Sequence, residues 1–121
     1  EPGPINLHDV LMLRESLGLL NDIGIDRVEA HDVGLAQRVR SGLATIPGVD
    51  ARPASARPSP IVAFSVPADR ADGLYEALDR ARIDISFREG RFRVSPHVYN
   101  DVSDVDRALE TIAATLTPVA G

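Results

Sequence analysis

The residues best suited to chemistry lie between Ile83 and Asn100, in the run I-D-I-S-F-R-E-G-R-F-R-V-S-P-H-V-Y-N. Two β-type runs, Ile85–Arg88 and Arg91–Val94, flank Glu89-Gly90. Glycine at the second turn position tolerates positive φ, which suits a two-residue hairpin loop. Such a loop sets Arg88 against Arg91, Phe87 against Phe92, Ser86 against Arg93 and Ile85 against Val94. Strand side chains alternate between faces. Ile85, Phe87, Phe92 and Val94 therefore share a core face, and Ser86, Arg88, Arg91 and Arg93 share the other. Like charges directly opposite one another on a hairpin are unfavourable. The three guanidinium groups call for open water, acidic screening or an anionic ligand. Arginine offers a planar fork of donors to a carboxylate or a phosphate. Ser95, His97, Tyr99 and Asn100 follow directly. His97, after Pro96 at a strand end, reads either as a structural hydrogen-bonder or as a proton carrier. The rest of the chain offers less. Histidines at 8, 31 and 97 are too scattered for a metal motif. No P-loop, dinucleotide or G-x-S-x-G spacing occurs.

The run R-x-R-V-S-P-H-x-Y-N, followed by S-D-V-D-R-x-L, resembles the C-terminal end of class V aminotransferases. These are pyridoxal-phosphate (PLP) enzymes of fold type I. They include cysteine desulfurases, selenocysteine lyases, isopenicillin-N-epimerase-like proteins and C–S lyases. Glu1 to Asn6, E-P-G-P-I-N, is similar to the family's E-x-G-T-x-N segment. Ile23 to His31, I-G-I-D-R-V-E-A-H, resembles the helix start that follows it. The resemblance implies the small C-terminal domain of such an enzyme. It makes Arg93, at the head of R-x-S-x-x-x-Y-N, the arginine for the substrate's α-carboxylate. Arg88 sits where several branches carry a second arginine. His97 and Asn100, inside the motif, complete the implied substrate-binding set, with no catalytic residue and no metal ligand in this chain. Gly3 and Pro4 fall where the family reaches the PLP phosphate of a partner subunit. The family's threonine is replaced by Pro4, which has neither hydroxyl nor N–H to donate. The further implications are PLP in the full enzyme, a large PLP-binding domain in cis or trans, and a homodimer. Cysteine desulfurases carry a nucleophilic cysteine between the two arginines. Here only four residues separate Arg88 from Arg93 and there is no cysteine, which excludes persulfide chemistry for this chain. The epimerase-like and C–S-lyase-like branches are closer.

Composition sets bounds. A chain of 121 residues, 44% hydrophobic, suits one globular domain over 1–121. A net charge of −5 argues against a nucleic-acid partner. No apolar run approaches the ~20 residues of a membrane span. With no leader pattern and no cysteine, the expected setting is cytoplasmic. All 13 residues of the Lys+Arg count are arginine. PLP enzymes hold their cofactor as a Schiff base on a lysine amine, so no cofactor is expected on this chain alone. Two functions follow. One is the substrate-domain portion of a PLP enzyme acting on an amino acid. The other is a free-standing, non-catalytic binding or assembly domain.

The elements that position the hairpin can be read from spacing. Leu7 to Ile23 carries Val10, Leu11, Leu13, Leu17, Leu20 and Ile23 at helical intervals, with Asn6 as N-cap and Gly24 as stop. Asp26 to Ile46 repeats the pattern through Val28, Leu35, Val39, Leu43 and Ile46. On that helix His31 and Asp32 point about 100° apart, so they do not form a dyad with each other. Val49 to Ala51 is a short strand, Arg52 to Pro60 an irregular connection, and Ile61 to Val66 a central strand. Asp69 is the expected cap of a helix over Arg70 to Arg82, buried through Leu74, Ala77, Leu78 and Ala81. Ser103 and Asp106 suggest a capping box for the last helix, whose apolar face is Val105, Leu109, Ile112 and Leu116. The fold class is α+β: a small antiparallel or mixed open sheet with helices packed on one face. Because there is no lysine, PLP followed by borohydride should leave no stoichiometric adduct on any side chain of the isolated chain. Intact-mass analysis checks this once the N-terminal amine is blocked.

Overall fold

The computed structural model describes residues 6–51 and 59–117. Gly3, Pro4 and residues 52–58 of the expected connection lie outside them. The elements run α1 (Leu7–Ile23), α2 (Ile25–Leu43), β1 (Asp50–Ala51), β2 (Val62–Ser65), α3 (Ala68–Arg80), β3 (Ser86–Arg88), β4 (Arg91–Val94) and α4 (Val102–Leu116). The strands form one antiparallel open sheet in the order β1-β2-β4-β3. This is the expected α+β architecture. Among the described residues no helix is long and apolar enough to cross a membrane.

The hairpin pairs as its residues dictate. Arg88 faces Arg91, Phe87 faces Phe92 and Ser86 faces Arg93. Glu89 and Gly90 both take positive φ, 53° and 73°. That is the primed turn whose twist matches the flanking strands. The ladder stops at Ser86, so Ile85 and Val94 lie beyond it, though both remain packed against the core. Phe92 is fully buried, its ring stacked at 5.2 Å on Phe64 and tilted at 4.5 Å against Phe87. Val62, Phe64 and Phe92 join Leu35, Val39 and Leu43 of α2, Leu74 and Leu78 of α3, and Val105 and Ile112 of α4 in one cluster. The alternate residues Ala63, Ser65, Arg91 and Arg93 then face away from the helices. Gly42 lets α2 approach α4, because a Cβ there would run into the Leu109 side chain.

Several element ends differ from expectation. α3 starts at Ala68, with Pro67 rather than Asp69 as N-cap. Pro67 has φ −51°, and Asp69 instead places its charge in the first turn, where the helix dipole favours it. α3 stops at Arg80 because Arg82 adopts φ 55°. The Arg82 N–H then donates to the Asp79 carbonyl, and the Ile83 N–H to the Leu78 carbonyl, each at 2.9 Å. This is a Schellman closure with arginine in glycine's usual place. Of the four positions expected to be buried on α3, Leu74 and Leu78 are; Ala77 and Ala81 are half-buried and Ala71 takes part instead. On α4 the capping box is Asp101 with Asp104, not Ser103 with Asp106. The Ser103 hydroxyl and the helix N–H groups hold the Asp101 carboxyl below its ordinary value. Asp106 is thereby left for a bidentate pair with Arg38, at 2.7 and 2.8 Å, which lowers its own pKa.

Helix α1 has the expected bounds, with the Asn6 side chain accepting from the Asp9 N–H and Gly24 at φ 95°. None of its residues is buried. Replacing Phe92 by Ala should cost about 3–5 kcal/mol, the range for a large side chain removed from a packed core. Urea denaturation followed by circular dichroism measures it. A loss below about 1 kcal/mol would mean that the hairpin faces the other way.

Candidate functional site

The site is built from two pieces of one run. The first is the outward face of the hairpin. Ser86, Arg88 and Arg93 are exposed and Arg91 is half-buried. Arg93 has Ala63 across on β2 and Ser86 across on β3. Neither neighbour is long enough to cover a guanidinium. Among the described residues, no ion pair reaches Arg88, Arg91 or Arg93.

The second piece is the turn from Ser95 to Asp101. Its backbone closes through the Asn100 N–H donating to the His97 carbonyl at 2.8 Å. The Asn100 side chain locks the same turn. Its Oδ1 accepts from the His97 N–H at 3.0 Å, and its Nδ2 donates to Asp104 of the α4 capping box at 3.3 Å. Helix α2 grips the turn with two adjacent residues. The His31 Nε2–H donates to the Asn100 carbonyl at 2.9 Å, since a carbonyl can only accept. His97 Nδ1 lies 2.8 Å from Asp32 Oδ2. Asp32 is 7% exposed, so its carboxylate needs a donor, and the Nδ1 proton belongs in this bond. That leaves His97 Nε2 as the outward ring nitrogen on a side chain 42% exposed. Tyr99 stands edge-on to the His97 ring at 5.5 Å and is itself 79% exposed.

The structure therefore places Arg93 and Arg88 together on one open face. It places His97 and Asn100 together in the turn that ends β4. Asn100 has both ends of its amide engaged within the turn. Among the described residues, nothing engages the second ring nitrogen of His97. Asp32 and His31 were missed as partners of this turn. Sequence reading tested them only against each other, whereas each reaches a residue more than sixty positions away. The one available signal was a carboxylate beside the apolar stripe of α2, which demands a buried donor from elsewhere. A groove of about 300 Å³ opens between α4 and the residues flanking the hairpin, lined by Ile83, Ile85, Val94, Tyr99 and Leu109. It includes none of Arg88, Arg91 and Arg93. Among the described residues no group of His, Asp or Glu is arranged to hold a metal.

The Aminotransferase class-V family model matches residues 1–108. No curated protein matches the chain.

The Asp32–His97 bond is a charge-assisted contact at a buried carboxylate. Asp32→Ala should lower stability by about 1.5–3 kcal/mol. In a double-mutant cycle with His97→Ala the two effects should fall well short of adding. Thermal denaturation of the four proteins measures this, and full additivity would show that the two side chains do not interact.

Proposed function

The chain belongs to the class V aminotransferases, and on that premise we propose that it is the substrate-side portion of a PLP-dependent enzyme acting on an amino acid. Class V enzymes use PLP, which supplies the electron sink for chemistry at the substrate's α-carbon. This chain does not fit the cofactor by itself, because none of its 121 residues is a lysine. Its contribution is binding. The observation that carries the reading is Arg93, uncovered on a rigid strand between Ala63 and Ser86, with no ion pair among the described residues. A guanidinium so placed presents two parallel N–H donors to a carboxylate. Arg88 adds positive charge on the same face. His97 offers Nε2 at the end of the same run, and Asn100 holds the turn that aims it.

Helix α1 supports a covering partner. Leu7, Val10, Leu11, Met12, Leu13, Leu17 and Leu19 are 48–67% exposed. So many large apolar side chains left exposed along one helix point to a surface that a partner covers. Its proposed occupant is the large PLP-binding domain, in cis or in trans, within a homodimeric enzyme. Gly3 and Pro4 belong to the segment proposed to approach the partner subunit's cofactor, where Pro4 donates no hydrogen bond.

The test joins the chain to a class V PLP-binding domain, by fusion or mixing, and follows turnover of a panel of L-amino acids with uncharged and with anionic side chains. Arg93→Lys keeps the charge but loses the fork. It should reduce kcat/KM roughly ten- to a hundred-fold, the worth of about 1.5–3 kcal/mol. Arg27→Lys, at an exposed position early on α2, serves as the control and should change little. Equal small effects from both would remove the carboxylate role from Arg93. If no PLP-binding domain restores turnover with the unmutated chain, the free-standing binding domain becomes the better reading.

A further inference from the structure

The open sheet face holds more cationic charge than one carboxylate uses. Arg88 and Arg91 are directly opposed across the two-residue loop. Residues in that position exchange both ladder hydrogen bonds, with Cα atoms about 5.5 Å apart. Arg93 lies two positions further along β4 on the same face, about 7 Å away. Glu89 is the acid closest in sequence, but in its φ 53° conformation it pairs with neither flanking arginine. The primed turn and the contact of the half-buried Phe87 ring with the buried Phe92 hold the strands in register, so the three charges cannot separate by slipping. Opposed like charges on a fixed hairpin repel. A monoanionic ligand seated on Arg93 would leave Arg88 and Arg91 without a counter-charge.

We propose that Arg88 and Arg91 form a second anion subsite beside Arg93. The substrate class is then an amino acid whose side chain carries its own anionic group. The inference rests on Arg93 taking the α-carboxylate and adds the residues that read the side chain. The two subsites are separated by a distance that a short side chain spans once the flexible arginine stems converge. The guanidinium pair at the loop suits a carboxylate, sulfonate or phosphate, each of which accepts several charge-assisted hydrogen bonds.

The experiment titrates L-aspartate, L-alanine and inorganic phosphate into the 15N-labelled chain and follows the arginine Nε–Hε resonances. L-aspartate should move Arg88, Arg91 and Arg93 at concentrations at least about tenfold below those at which L-alanine moves Arg93, as one added charge-assisted contact gives. Inorganic phosphate should act more weakly than L-aspartate. Arg88→Gln and Arg91→Gln should each bring L-aspartate close to L-alanine, while Arg27→Gln should not. Amide dispersion of each variant confirms that the hairpin is intact. If Arg93 responds equally to both amino acids, or if the preference survives both Gln variants, this inference alone is overturned. Phosphate binding as tightly as L-aspartate overturns it too, since the face would then be a plain counter-ion site. If neither amino acid moves Arg93, the carboxylate role fails and the inference falls with it.

Discussion

The burial of Phe92 fixes what the rest of the hairpin can do. Its ring lies between Phe64 and Phe87 with no exposed surface. Strand periodicity then leaves Arg91 and Arg93 no choice of side. A slip of one residue would bury two guanidinium groups and expose the aromatic cluster, at a cost far above the stability of a small domain. The aromatic core therefore specifies the direction of the arginines. The positions across from Arg93 add to this, because Ala63 and Ser86 leave its donors unobstructed.

Much of this was legible in the sequence because it is local. The hairpin register follows from Glu89-Gly90 and the alternation around it, and it is the register observed. The α1 bounds follow from Asn6 and Gly24. The central strand is where an apolar run bounded by Pro60 and Pro67 puts it. Local competition explains the misses at helix ends. Asp101 and Ser103 are both good caps, and Asp101 wins because Asp104 can answer it across the first turn. Ser103 then serves as a donor to Asp101, at 2.6 Å from its hydroxyl. The end of α3 was hidden for another reason. A left-handed closure usually announces itself with glycine, and here the position is Arg82. Reading for glycine cannot find it, although left-handed backbone costs a residue with a Cβ about 1–2 kcal/mol.

The candidate site divides along the same line. Arg88 and Arg93 share a face by parity alone, which one segment of sequence contains. The grip of α2 on the turn depends on contacts across 65 and 69 positions, which no local pattern encodes. Neighbouring helix residues diverge by about 100°, and that divergence is what lets His31 and Asp32 serve two separate points. One takes the Asn100 carbonyl, the other the His97 ring. The geometry that rules the pair out as a dyad makes it effective as a clamp.

That clamp carries an energetic cost which bears on its purpose. Asp32 is the buried charged residue of the core region, and its Oδ1 has no hydrogen-bond partner among the described residues. A buried carboxylate with one oxygen unsatisfied is a poor way to gain stability; apolar residues in place of both Asp32 and His97 would often do as well, although removing Asp32 alone breaks the pair. What the carboxylate provides instead is direction. It accepts from one ring nitrogen of a half-exposed histidine and so fixes which nitrogen faces outward. The turn it holds begins where β4 ends, a few residues beyond Arg93. With Asn100 tying that turn to α4 and His31 tying it to α2, the far end of the strand is fixed as firmly as the loop end. Arg93 sits between two fixed points. A long, flexible side chain binds well only when its backbone does not have to be ordered on binding. The ordering here is done in advance by the fold, at the expense of one unsatisfied buried oxygen.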